Sequence, residues 1–212
     1  MDNKKEIKDL LVFFQRANQL KSVPRYSSSL WKDGDTVAEH SWRLALMVYT
    51  IGSQFKIGID LNKAIAMAMI HDLAESLTGD IDAVNTYNAY QEKNKQISKQ
   101  NKHVAEVKAM KNIMGGLFFG KDMLELWEEF EAQESTEAKF VKALDKLEAF
   151  LHLADKGTSS FKQEEFHADY ADAAIKNFDE ATQHFPELSE MLVAVKDELK
   201  TKFEAAGVEW KE

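Results

Sequence analysis

Ala64-Ile65-Ala66-Met67-Ala68-Met69-Ile70-His71-Asp72-Leu73-Ala74-Glu75, continuing through Ser76-Leu77-Thr78 to Gly79-Asp80, carries an uncharged apolar run directly into a His-Asp pair. Ala and Met favour helix, and a helix with no polar face is normally buried. The pattern predicts a helix from about Leu61 that delivers an imidazole and a carboxylate to the protein interior. A buried charge is costly unless it is paired or bound to a metal. Residues three and four apart share a helix face, so His71, Asp72 and Glu75 are expected to address overlapping space.

Upstream, Val37, Ser41, Leu44, Met47, Val48, Ile51 and Phe55 form a helical stripe behind a cap at Asp35 or Thr36. His40 falls on that stripe and is predicted to point inward, while Gly52 and Gly58 are expected to loosen the helix end. Downstream, a helix capped by Ser135 or Thr136 and closed by Gly157 carries the stripe Phe140, Val141, Leu144, Leu147, Phe150, Leu151 and Ala154, with Asp145 at its border. Residues 4–20 predict a first, amphipathic helix with Ile7, Leu10, Leu11, Phe14 and Ala17 on one side. Pro24 and the serines at 27–29 break it, leaving Arg25 in a loop, where functional side chains are often placed. Further helices are expected over 102–113, 121–132, 163–184 and 187–205, Pro186 suiting a helix start, with a polar stretch before residue 100. The expected fold is all-α, a bundle of roughly eight helices with no sheet. It forms one domain over 1–212, with a motif-bearing core at about 8–160 and C-terminal helices at about 161–206.

With 212 residues, 44% of them hydrophobic, the chain can bury a sizeable core. It has no cysteine, which rules out thiolate ligands and nucleophiles and fits a reducing cytoplasm. No apolar run reaches the ~18 residues of a membrane span, and no signal peptide is evident. A net charge of −9 makes the chain a poor binder of nucleic-acid polymers, which need clustered Lys and Arg. A small phosphorylated substrate held by a local cation is compatible with it. Residues 121–150 carry nine acids against four Lys, read as solvated helix faces.

Three helices therefore present inward-facing groups of metal-ligand type: His40, then His71 and Asp72, then Asp145. Each has a plainer reading alone, as a hydrogen-bonded core histidine or an acid at a core edge. Together, two imidazoles and two carboxylates without sulfur suit one divalent ion of intermediate softness, such as Mn, Co, Fe, Ni or Zn, with Mg also to be tested. Such an ion yields a nucleophile near neutral pH by lowering the pKa of water.

Val37-Ala38-Glu39-His40-Ser41-Trp42-Arg43, His71-Asp72-Leu73-Ala74-Glu75 with Thr78-Gly79-Asp80, and Lys142-Ala143-Leu144-Asp145-Lys146-Leu147-Glu148 resemble the HD-domain metal-dependent phosphohydrolases. The nearest branch contains bacterial 5′-deoxynucleotidase and its eukaryotic relatives. Leu20-Lys21-Ser22-Val23-Pro24-Arg25, Leu126-Trp127-Glu128-Glu129-Phe130 and Thr136-Glu137-Ala138-Lys139-Phe140-Val141 extend the likeness over about residues 8–160. The resemblance implies a helical HD-type bundle that often forms homodimers. It implies that His40, His71, Asp72 and Asp145 bind one divalent metal. Arg25 would grip the substrate phosphate, Glu75 would move a proton or orient water, and Asp80 would act near the leaving group. The sequence does not divide acid from base between Glu75 and Asp80. The implied activity is release of phosphate from (deoxy)nucleoside 5′-monophosphates. The sequence departs from the branch at Tyr26, which bears on the sugar or base contact and not on the metal site.

Three rivals stand beside this reading. An HD-type hydrolase of a di- or triphosphate would need more cations than the visible candidates Arg25, Lys21 and Lys146. A two-iron oxygenase would need more histidines. A non-catalytic scaffold binding a nucleotide or a protein has no use for Glu75 and Asp80. His103 is expected at the surface, His152 has a possible supporting place beside Asp145, and Lys146 is expected to be solvated or ion-paired. Trp42 and Trp127 are both expected in the core.

Overall fold

The computed structural model describes residues 3–26, 34–80, 95–156, 179–180 and 182–207, with only the backbone of 95–100. Among these residues the chain is helical and contains no strand. The helices are α1 (Asn3–Ala17), α2 (Val37–Gln54), α3 (Leu61–Ile70), α4 (Glu75–Thr78), α5 (Lys95–Met114), α6 (Gly120–Ala132), α7 (Thr136–Lys156) and α8 (Ser189–Ala205), with 3-10 turns at Asn18–Ser22 and Pro186–Leu188. The helix expected over 163–184 and the closing role of Gly157 lie largely outside the described residues.

The helix starts follow local chemistry. Thr36 and Glu39 form a reciprocal capping box at α2, the Asp60 side chain accepts from Lys63 N at α3, and Ser135 Oγ accepts from Ala138 N at α7. Two apolar clusters make the core. One joins Leu44, Val48, Ala64, Met67 and Ala68 to Phe140, Val141, Leu144 and Leu147, with Leu188, Leu192 and Val195 behind. The other joins Leu20, Val37, Ile70, Leu73 and Ala74 to Met110, Ile113 and Trp127. Each fully buried side chain of this size contributes about 1.5–3 kcal/mol. His40 lies between Val37 of the second cluster and Leu44 of the first, and His71 follows Ala68 and Ile70 in the same way. The polar site thus occupies the seam between two apolar masses.

Several expectations need correction. Ile7, Leu10, Leu11 and Phe14 of α1 are exposed; the helix turns Phe13 and Ala17 toward the core instead. The run before His71 is not buried all round, since Met69 lies at the surface. Gly52 does not loosen α2. It is buried inside the helix, and a Cβ there would stand 2.8 Å from Leu61 Cδ1, so it permits close packing of α3 on α2. Helix α3 stops at Ile70, and the chain continues through a tighter turn with Leu73 N bonded to Ile70 O and Glu75 N to Asp72 O. The turn keeps the helical sense, so His71, Asp72 and Glu75 still share one side.

Candidate metal centre

Four ligand-type side chains converge at the seam. His40 Nε2 lies 3.2 Å from His71 Nε2, 3.3 Å from Asp145 Oδ1 and 3.6 Å from Asp72 Oδ2. His71 Nε2 lies 3.0 Å from Asp72 Oδ2 and 4.0 Å from Asp145 Oδ1. His40 and His71 are buried. Trp127 Nε1 donates to His71 O at 3.0 Å and anchors the turn from below.

The far side of each ring assigns its tautomer. His71 Nδ1 is 3.0 Å from the carbonyl oxygen of Ala68, which only accepts, so Nδ1 carries the hydrogen. His40 Nδ1 is 2.5 Å from Glu148 Oε2, and the same argument holds. Both Nε2 atoms then present lone pairs toward each other and toward two carboxylates. Acceptor atoms of His40, His71 and Asp145 all lie within 4.8 Å of one another, with Asp72 Oδ2 beside both imidazoles, a set that fits a divalent cation. When metal is absent a proton takes that place. Burial works against a charged His40, but hydrogen bonds to Asp145 and Glu148 outweigh it and raise its pKa to about 9. Burial likewise opposes ionisation of Asp72 and Asp145, yet His71 beside the first and Lys142 beside the second hold both carboxyls well below the usual range.

Arg25 flanks the cluster. Residues 23–25 are tied to the start of α2 by an antiparallel bridge between Pro24 and Thr36, with Arg25 N donating to Asp35 O and Val37 N to Val23 O, both at 2.9 Å. Its guanidinium pairs with Asp35 Oδ2 at 3.2 Å and Glu148 Oε2 at 3.1 Å. Tyr26, in the left-handed region at φ 56°, stacks on the buried His152 ring with centroids 5.1 Å apart. His152 Nε2 faces Asp35 Oδ1 at 3.6 Å, which places His152 behind the arginine.

Glu75 is buried. Burial, then the charges of Asp72 and Asp80, raise its pKa to about 9 against the opposing pull of Lys102, whose Nζ stands 3.5 Å away. Lys142 Nζ is 2.8 Å from Asp145 Oδ2. Lys142 and burial together lower the Lys146 pKa to about 8.

The structure therefore gathers His40, His71, Asp72 and Asp145, ties Arg25 to the group through Glu148, and brings Glu75 within electrostatic range of Asp72 and Asp80. Asp145 pairs with Lys142 and not with its neighbour Lys146. Glu148, Lys102 and Lys142 join the site although sequence reasoning gave them no role. Glu148 was counted among solvated acids, and its position three residues after Asp145 was the available signal. The count of Arg25, Lys21 and Lys146 as candidate cations also needs correction, because Lys102 and Lys142 stand at the site while Lys21 is exposed. His103 is exposed as expected and lies 3.3 Å from Glu131. Trp127 is buried, but Trp42 is 67% exposed: it sits on the outer face of α2, between inward-facing Ser41 and Leu44.

An all-helical bundle with a His, His-Asp, Asp cluster drawn from α2, the turn after α3 and α7 defines a protein of the HD type. The HD domain family model matches residues 17–188, and the chain belongs to that family. It is 30% identical over 207 residues to human 5′-deoxynucleotidase HDDC2, covering 95% of this chain and 92% of the relative. It is 36% identical over 150 residues to the Danio rerio protein of the same name, covering 68% and 67%. Among solved structures, a predicted metal-dependent phosphohydrolase from Magnetospirillum magnetotacticum matches with TM-score 0.71 at 20% identity, over 96% of this chain and 98% of that one. The cyanophage S-2L HD phosphohydrolase DatZ, bound to dA and one catalytic Zn2+ ion, matches with TM-score 0.51 at 21% identity, over 91% and 94%. These two share the fold.

Proposed function

We propose that this protein is a metal-dependent 5′-nucleotidase that releases phosphate from deoxynucleoside 5′-monophosphates. The observation that carries the proposal is the convergence of two imidazole lone pairs and two carboxylates beside Arg25 and Glu75. The names of the curated relatives support the substrate class.

His40, His71, Asp72 and Asp145 would hold the ion. Such an ion activates water and offsets the charge of the phosphate. Arg25 binds phosphate oxygens through its planar fork, held ready by Asp35 and Glu148. In hydrolysis the oxygen of water bonds to phosphorus, the bond to the 5′ oxygen breaks, and that oxygen departs with a proton. Glu75 is the proton carrier, since its burial lets it hold or release a proton near neutral pH. Asp80 sets the charge around Glu75 and contacts the substrate. The protein is proposed to act in the cytoplasm, and as a homodimer, which light scattering checks against the 24.2 kDa chain mass.

The test is phosphate release from ribo- and deoxyribonucleoside mono-, di- and triphosphates. Protein stripped with chelator is supplied in turn with Mn, Co, Mg, Fe, Ni or Zn. Metal-dependent release from monophosphates, faster for the deoxy sugar, is expected. Release from triphosphates alone, or none while metal is bound, overturns the proposal.

A further inference from the structure

Glu148 is fully buried, and each of its oxygens is engaged. Oε2 takes His40 Nδ1 at 2.5 Å and Arg25 Nη1 at 3.1 Å. Oε1 takes Arg43 Nε at 2.7 Å, and Arg43 is in turn fixed by Asp155 at 2.6 Å. A buried carboxylate of this kind is an expensive way to stabilise a fold, because apolar residues of similar volume often serve as well or better. The partners it has gathered therefore matter more than its burial. One is the ring of a candidate metal ligand and another is the candidate phosphate grip.

The two arrive from different parts of the chain. His40 belongs to α2. Arg25 belongs to the preceding loop, where its other carboxylate partner, Asp35, lies in the same loop region. Glu148 belongs to α7, one turn after Asp145. It is thus the group that ties the arginine to the helix carrying a metal ligand.

Resting on the function proposed above, we infer that Glu148 is a positioning residue that couples the metal ligand His40 to the phosphate-binding Arg25 and holds the two at a fixed spacing. Its carboxylate keeps the hydrogen of His40 on Nδ1, which leaves Nε2 free to ligate. Its remaining lone pair on that oxygen aligns Nη1 of the guanidinium, which Asp35 also engages, while Nη2 donates to Tyr26 Oη at 3.3 Å; the remaining N–H groups are those assigned to phosphate. A bound ion and a bound phosphate then each feel the other's presence through one side chain.

Glu148→Gln preserves shape and removes the charge. His40 and Arg25 share Oε2, so the amide either loses both acceptor contacts at once or, with its oxygen kept there, offers both a neutral and weaker acceptor while its nitrogen faces Arg43. Co(II) affinity, read from the visible absorption of the bound ion, is expected to fall about 10–100-fold. The KM for a deoxynucleoside monophosphate is expected to rise about tenfold in the native background and to stay unchanged in an Arg25→Ala background, the signature of two residues acting as one. Co(II) affinity within twofold of native overturns the inference, as does an equal KM effect with and without Arg25. If Glu148→Gln fails to fold, Arg25→Ala decides alone: a shifted Co(II) spectrum supports the coupling, and a native spectrum overturns it. The Co(II) arm needs no turnover, so failure of this inference and failure of the proposed activity are told apart by whether the unaltered protein releases phosphate.

Discussion

Glu75→Gln should make the metal-free protein more stable and catalytically poor at once. Glu75 is 4% exposed, and its pKa of about 9 compares with 4.5 for an unperturbed glutamate. A carboxyl whose folded pKa is raised favours the fold below its unfolded pKa, and that stability is lost as pH rises through the interval to the folded value. Each pH unit in the interval costs about 1.4 kcal/mol. At pH 7 the loss is about 3 kcal/mol, from 2.5 units between 4.5 and 7. An amide does not titrate and escapes it. For a chain of this length the gain corresponds to a Tm higher by about 6–12 °C. The assay is thermal unfolding of chelator-treated native and variant protein at pH 5 and pH 7, where the advantage of the variant should be small at pH 5 and large at pH 7. Added metal should narrow the gap, because a cation beside Asp72 favours the ionised Glu75. Phosphate release by the metal-loaded variant should fall about 10²–10⁴-fold. A variant that melts at or below native at pH 7, or that keeps native activity, refutes the reasoning.

Metal loading should be proton-linked: with His40 protonated up to about pH 9 in the metal-free protein, Zn or Co affinity should rise as pH rises from 6 toward 9. Calorimetric titration in buffers of different ionisation enthalpy reads the released proton, and a flat affinity would count against the assigned tautomers. Arg25→Lys keeps the charge but loses the fork, so KM for a monophosphate should rise about tenfold with a smaller change in kcat; steady-state kinetics separates the two. Gly79 sits at φ 75°, ψ 160°, a region that is essentially glycine-only, so Gly79→Ala should cost about 1–3 kcal/mol in thermal melts and misplace the adjoining Asp80.

The convergence of His40, His71, Asp72 and Asp145, the candidate metal cluster, was legible because its members follow helical register. His40 lies on the Val37–Leu44 stripe, Asp145 borders the stripe through Leu144, and His71 ends an apolar run. Helical periodicity transmits such placement to the sequence without any knowledge of contacts. Arg25 was legible from its loop beside Pro24. Glu148 was not, because its partners lie far away in sequence, at Arg25, His40 and Arg43, and nothing local distinguishes a buried glutamate from a solvated one. Lys102 was missed for the same reason, being an ordinary lysine until Glu75 stands opposite it; Lys142 pairs locally, with Asp145 three residues on, a spacing that an exposed helix face shows equally often. Periodicity also erred where it had no partner surface to consult. The apolar face of α1 obeys helical spacing, yet the bundle leaves it outside, while Trp42 lies off the α2 stripe and is exposed because residue type was weighed above its register.

Helix α7 works as a ruler. Asp145, Glu148 and His152 follow one another at intervals of three and four residues along one edge, facing in turn the histidine pair, the arginine and the tyrosine stack. The spacing between these stations is set by the helix pitch, about 1.5 Å per residue. One residue inserted between Asp145 and Glu148 would rotate everything beyond it by about 100° and put the carboxylate on the wrong side of the rod. Length changes in this family member are therefore expected to be tolerated in its connections and rejected in α7, a rule that any deep insertion scan of the gene would expose at once.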